Sequence, residues 1–370
     1  MGRFGFVAVV LVGLIVSSVF GAGGYDGGSG TAGDPYQIRT AGQLHELSQH
    51  SEDWDKCFVL VQDIDMDGIY MTPIGRNYWD PFKGSFDGGG HVISNLSEGV
   101  DSGLFGYLAA GSEVRRLGLK DINISGAGSV GGLASYNEGT VSQCYVTGEV
   151  ISYDNYFCGG LIGKNDGIVR DCYSRANVTG AGDTGGLIGI GLGVEINRCY
   201  SAGIVTGDTN TAGGFIGGPY DGSIVILSNC FWDYSKYGML PHEWGASDGY
   251  LARNTYAMQN PGTYNYSGWG GDVWTLDAGN DYPRLAWEGA EGTVIEGPEG
   301  DGSAESPYEI NTAFDLLEMR AHSEFFDKHI RLTSDIDMSA EVTGVEEWVG
   351  AIIASHDDVF NGVFDGNGHF

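Results

Sequence analysis

Between Gly103 and Trp232 the chain repeats one pattern of apolar and small residues. A glycine followed by Leu or Phe falls at Gly103, Gly132, Gly160, Gly186 and Gly214, a period of about 28 residues. A second register runs through Cys144, Cys172, Cys199 and Cys230, each followed by an aromatic residue. Four positions after the first three cysteines stand Gly148, Ala176 and Gly203, and six positions after them Val150, Val178 and Val205. Side chains alternate across a strand, so the cysteines and valines share an inward face, and Tyr145, Tyr173, Tyr200 and Phe231 share the outward one. Units of this length bury a continuous core only by stacking. The pattern predicts an all-β fold, a parallel β-helix (β-solenoid) of about five coils.

The flanks read differently. Thr40 to His50 has helical spacing, with Thr40 as N-cap and Gln43 as its capping-box partner. Phe58 to Met66 reads as a strand, and Phe82 to Leu96 as two short strands around a tight turn. From Trp232 to Glu288 the repeat is lost and aromatic residues accumulate, as expected of a cap over the open end of a solenoid. Gly302 to Ala340 then aligns without a gap on Gly30 to Gly68, and Phe360 to Phe370 answers Phe82 to Val92. The predicted organisation is a signal peptide (1–22), a lead-in with a short helix and strands (23–100), the repeat solenoid (101–235), an aromatic-rich C-terminal cap (236–288), a linker (289–301) and the truncated start of a second copy (302–370).

Composition narrows the setting. The 370 residues include 64 glycines, and 49 acidic residues oppose 18 basic ones for a formal net charge of -31. Such a surface repels nucleic acid and anionic lipid. Arg3, the apolar stretch Phe4 to Phe20 and the small residues after it have the layout of a secretory signal, and no other stretch is read as membrane-spanning. The expected location is therefore secreted, extracellular or cell-surface. In that setting six cysteines would ordinarily pair, but four of them recur once per repeat and stack one strand spacing apart, too far for relaxed disulfides. They are read as a buried reduced ladder, with Leu117 in the equivalent place one coil earlier. Cys57 and Cys158 lie outside the ladder and are the candidates for oxidation.

The segments Gly103-Leu104-Phe105-Gly106, Gly160-Leu161-Ile162-Gly163, Gly186-Leu187-Ile188-Gly189 and Gly214-Phe215-Ile216-Gly217 resemble the GLUG-motif proteins. Gly132-Leu133-Ala134-Ser135 departs at its last position, which is expected to loosen one corner. The resemblance implies a bacterial secreted or surface protein of adhesin-like type. It also implies a possible place as the accessory repeat region of a larger secreted protease, since similar repeats accompany a zinc peptidase domain in some immunoglobulin A proteases.

Candidate chemistry is sparse. His45-Glu46 and His50 nearly form a zinc-peptidase motif, but the second His comes five positions on instead of four, so the two rings diverge round a helix. Asp63, Asp65 and Asp67 have calcium-loop spacing, but Ile74 stands at the twelfth position, where the ligating Glu belongs. Asp87 and His91 are four apart in a glycine-rich turn without a nucleophile. Carboxylates do not recur at a common coil position, against a polysaccharide lyase or hydrolase, the enzymatic alternative. The expectation is a non-catalytic adhesive or structural module with no cofactor and no metal, calcium at Asp63 to Asp67 being the one candidate. Its partner would be an extracellular glycan or a surface protein, bound along Tyr145, Tyr173, Tyr200 and Phe231. Those aromatics either offer stacking faces or lie beneath a neighbouring segment.

Overall fold

The computed structural model describes residues 24–98, 103–191, 195–208, 211–218, 226–236, 250–265, 268–295, 299–320, 325–337 and 360–370. The proposed signal segment, 1–22, lies outside them. The repeats form a parallel β-solenoid of about six turns, one more than the repeat count suggested. Each coil has three principal faces. The groove face carries Phe105–Leu108, Ala134–Asn137, Ile162–Asn165 and Ile188–Gly191. The middle face carries Thr140–Ser142, Ile168–Arg170, Glu195–Asn197 and Ile226–Ser228. The ladder face carries Tyr145–Ser152, Tyr173–Thr179, Tyr200–Ser201 and Cys230–Asp233. The long strand Glu113–Gly126 turns the corner between the middle and ladder faces.

That corner is a column of left-handed residues: Arg116, Gln143, Asp171, Arg198 and Asn229, with φ between 48° and 56°. Each directly precedes Leu117 or a ladder cysteine. The bend explains the cysteines. Cys144 N donates to Cys172 Sγ and Cys172 N to Cys199 Sγ, both at 3.4 Å. Each thiol donates to the carbonyl two residues back, as in Cys172 to Arg170 O at 3.1 Å. The sulfur therefore satisfies backbone where the corner interrupts the ladder of peptide hydrogen bonds. All six cysteines are free. Cys57 and Cys158, the candidates for oxidation, are not bonded to each other: Cys57 lies in the large sheet, and Cys158 pairs with Val130 and Thr184 in a separate small one.

Leu104, Leu133, Leu161, Leu187 and Phe215 are fully buried inside the coils. Their glycines are required by the stacking: a Cβ on Gly160 would lie 2.3 Å from Gly186 O, and one on Gly186 would lie 2.2 Å from Gly214 O. The departure at Ser135 loosens nothing. Its hydroxyl donates to Ser129 O, and its strand keeps register, with Ala134 opposite Ile162.

The lead-in is continuous with the solenoid. Tyr36–Ile38 pairs in parallel with Cys57–Leu60, which pairs with Ser85–Ser94, which pairs with Glu113–Gly126. Ser85–Ser94 is thus one strand bent at Gly88 to Gly90, where the sequence pattern suggested two strands about a tight turn. The helix Ala41–Gln49 has the expected Thr40–Gln43 capping box. Residues 299–370 repeat this start, with parallel strands Tyr308–Ile310, His329–Leu332 and Val363–Asp365 around a small core containing Ile310, Met319 and Ile330.

Candidate binding groove and the covered aromatic ladder

The predicted binding residues do line up. Tyr145 stacks on Tyr173 with ring centroids 5.0 Å apart, and Tyr173 on Tyr200 at 4.9 Å, both pairs within 6° of parallel. They point away from the coil interior, as alternation requires, but they are not open. Tyr173, Tyr200 and Phe231 are wholly buried and Tyr145 is 5% exposed. The segment from Asn254 to Ile295, expected as an end cap, runs back along the ladder face as a strap. Only Tyr250–Arg253 extends the sheet end, pairing with Cys230–Asp233. The strap brings Tyr264, Trp269, Trp274, Tyr282 and Leu285 into a second core with the ladder. The physical reason is the row itself: contiguous exposed rings at one-coil spacing are an apolar surface that the aromatic-rich strap covers.

The strap is anchored at the left-handed corners. Trp269 Nε1 donates to Asn229 O at 2.8 Å, Trp274 Nε1 to Asp171 Oδ1 at 3.1 Å, and Trp287 Nε1 to Gln143 O at 3.2 Å. Asp171, almost buried, also receives both Nε and Nη2 of Arg198 at 2.6 and 2.8 Å. Asp281 takes Arg175 and Arg284, each at 2.9 Å. Burial alone would raise the Asp281 carboxyl, but the Arg284 hydrogen bond and the Arg175 charge outweigh it and hold it below its usual range.

The other candidates are structural. His91 Nδ1 meets Asp63 Oδ1 at 3.1 Å instead of Asp87, and His369 meets Asp335 at 3.0 Å in the second copy. Asp87 faces Arg115 and Arg116; burial would raise its carboxyl, but the Arg116 and Gly89 hydrogen bonds lower it on balance. His50 is held by Glu52 and Glu46. Asp65 Oδ1 receives Asp67 N and Asn95 Nδ2. Among the described residues no three His, Cys, Asp or Glu side chains cluster to hold a metal.

A cluster of exposed aromatic residues is on the groove face, where no periodic register marked it. Loop residues 72–78 and the coil edge around Ala127 to Ser129 enclose a groove of about 780 Å³. Tyr107 and Tyr136 stack on successive coils with centroids 5.6 Å apart, and Tyr78 meets Tyr107 edge-on at 5.8 Å. Trp79 packs edge-on against Tyr78 at 5.1 Å. Tyr78, Trp79 and Tyr156 are 61%, 88% and 52% exposed. Polar groups flank the rings: Ser129 Oγ donates to Tyr136 Oη at 3.0 Å, Tyr107 Oη donates to Glu138, and Lys164 Nζ lies 5.9 Å from the Tyr136 ring. Burial first, then Glu138, pushes the Tyr107 phenol well above its usual value. Open aromatic faces beside fixed donors and acceptors are equipped to bind sugar rings or a peptide.

The chain is 33% identical over 138 residues to halomucin of Haloquadratum walsbyi, a match covering 33% of this chain and 2% of that protein. It is 35% identical over 149 residues to a "Putative Gly-rich membrane protein" of Evansella cellulosilytica, covering 36% of this chain and 16% of the other. The chain thus spans a small part of both curated relatives. The crystal structure of a "putative immunoglobulin A1 protease" from Bacteroides ovatus superposes with a TM-score of 0.59 at 22% identity, over 72% of this chain and 96% of that one; the likeness is one of fold. No helix among the described residues is long and apolar enough to cross a membrane. Residues 126–151, the coil that contains Gly132-Leu133 and Tyr145, match the family described as the GLUG motif, so the chain carries this motif within a parallel β-solenoid.

Proposed function

We propose that the chain is a non-catalytic secreted or cell-surface module whose groove face binds a neutral glycan chain. The observation that carries this is the set of open rings at Tyr78, Trp79 and Tyr156, beside the fixed polar groups of Ser129, Glu138 and Lys164. Tyr78, Tyr107 and Tyr136 come from three successive coils, so the groove follows the solenoid axis and suits an extended ligand. A net charge of -31 disfavours an anionic polymer. The location draws on the signal-like N-terminus and on the likeness to halomucin and the Evansella protein.

A glycan-array and cell-surface screen of the full chain tests the reading. The wild type is expected to retain neutral oligosaccharides, and Tyr78→Ala/Tyr156→Ala to lose them with an unchanged fold. Equal binding by both proteins would remove the groove from consideration. Release of reducing sugar by the wild type would make the protein an enzyme.

A further inference from the structure

Among the described residues, three asparagines stand in the triplet Asn-x-Ser/Thr, the acceptor pattern for Asn-linked sugar: Asn95-Leu96-Ser97, Asn123-Ile124-Ser125 and Asn177-Val178-Thr179. In a strand, residues two apart share a face, so the amide and its hydroxyl stand side by side. The second and third triplets lie in the strands Glu113–Gly126 and Tyr173–Thr179. Their middle residues, Ile124 and Val178, are buried in the solenoid. Asn123, Asn177 and Thr179 are exposed, and Ser125 is half-buried. Glu149 pairs with Asn123 on one side and Asn177 on the other, so the two asparagines share an outward column. They are two coils, or about 10 Å, apart.

Both amide nitrogens are uncommitted: neither Nδ2 donates a hydrogen bond among the described residues. Asn177 Oδ1 accepts Ile204 N at 3.2 Å, which turns its Nδ2 away from that strand. Ile204 itself is 50% exposed, so a sugar on Asn177 would cover a bare apolar side chain on the next coil. Asn95 differs. Its backbone is left-handed, with φ 55°, and its Nδ2 donates to Asp65 Oδ1 at 2.8 Å, so its amide is already committed. We infer that Asn123 and Asn177 are N-glycosylation sites, modified during export by transfer from a lipid-diphosphate-linked oligosaccharide. The inference rests on the reading of the chain as secreted or cell-surface. In the transfer, Nδ2 bonds to the anomeric carbon and the bond from that carbon to the diphosphate oxygen breaks. The displaced amide proton goes to the departing lipid diphosphate. The reaction takes place on the extended chain before the strands pair, and the folded solenoid then carries both sugars outward.

The test is site-resolved glycopeptide mass spectrometry of the full chain. It is expressed with its own N-terminal segment in a host whose exported proteins carry Asn-linked oligosaccharides, and each cell fraction is analysed. In the exported chain, Asn123 and Asn177 are expected to carry the host's oligosaccharide. Asn155, exposed but in no such triplet, is expected to be bare. Ser125→Ala should strip Asn123 alone and Thr179→Ala should strip Asn177 alone, because the hydroxyl beside the amide is part of what the transferase reads. The readout is taken on denatured peptides, so it does not depend on how well a variant folds. An exported chain bare at both asparagines, or one that keeps both sugars in the two Ala variants, overturns the inference and leaves the location standing. A chain that is not exported overturns the location and the inference with it.

Discussion

Tyr173 Oη donates to both carboxylate oxygens of Glu288, at 3.0 and 2.9 Å, across 115 residues of sequence. Glu288 also receives Leu285 N at 2.8 Å and Arg284 Nη1 at 3.0 Å, and Arg284 reaches back to Tyr173 Oη at 2.7 Å. This closed set joins the ladder to the last turn of the strap. Glu288→Ala leaves a phenol and a guanidinium without their carboxylate partner, and is expected to cost roughly 3 kcal/mol of strap docking. Denaturant melts that follow tryptophan emission measure it; a loss below about 0.5 kcal/mol would show the set to be dispensable.

The two strap carboxylates respond to pH in opposite senses. Asp281 is held below its ordinary value of 3.8, so its contribution is present above that value and lost as pH falls through the lowered one. Burial raises Glu288 above 4.5 despite Arg284, so the docked state holds this proton more tightly than the open one. Docking therefore weakens as pH rises from 4.5 through the raised value. Near-UV circular dichroism across this range is expected to show both limbs. Asp281→Asn should flatten the acid limb, and Glu288→Gln the upper one. Unchanged limbs in either variant would reject the assignment.

Leu161 is fully buried, with Leu133 and Leu187 hydrogen-bonded to it through the backbone on neighbouring coils. Leu161→Ala is expected to cost about 2–5 kcal/mol, and Leu161→Asp to unfold the solenoid. A melting temperature unchanged in Leu161→Asp would contradict an interior position.

The cysteine column makes a chemical prediction. Cys144, Cys172, Cys199 and Cys230 are buried, and burial pushes the Cys158 thiol up to about 12. Native protein treated with iodoacetamide at about pH 8 is expected to label Cys57, which is partly exposed, and to spare the other five until denatured. A Cys144–Cys172 or Cys172–Cys199 disulfide in most molecules, found by mass spectrometry, would refute the hydrogen-bonded ladder.

Much of the fold was legible because stacking imposes a period. Leu161 and Leu187, or Cys172 and Cys199, face the same neighbours in every coil, and the chain records it. The outward direction of Tyr173 and Tyr200 followed from alternation alone. Their covering did not, because the strap tryptophans Trp269, Trp274 and Trp287 carry no period, and their contacts are 40, 103 and 144 residues distant in sequence. The left-handed corner was hidden because Gln143, Asp171, Arg198 and Asn229 share a backbone angle and no side-chain chemistry. The groove was missed for a related reason. Tyr78 and Trp79 sit in a loop before the first motif glycine, and Tyr156 in a loop between coils, so only folding brings them beside Tyr107 and Tyr136. The isolated exchange of Gly for Ser135 looked disruptive, but the hydroxyl found a carbonyl at Ser129.

The central claim is that the buried ladder is structural and the groove binds. The most direct measurement is a titration of one array-positive neutral oligosaccharide into three full-length proteins by isothermal calorimetry: wild type, Tyr78→Ala/Tyr156→Ala, and Tyr173→Phe/Tyr200→Phe. Stacking on an open ring is worth about 1 kcal/mol or more, so losing two rings should weaken binding at least about ten-fold in the groove variant. The ladder variant, whose changed hydroxyls lie under the strap, should bind as the wild type does. Loss of binding in the ladder variant with full binding in the groove variant would contradict the account.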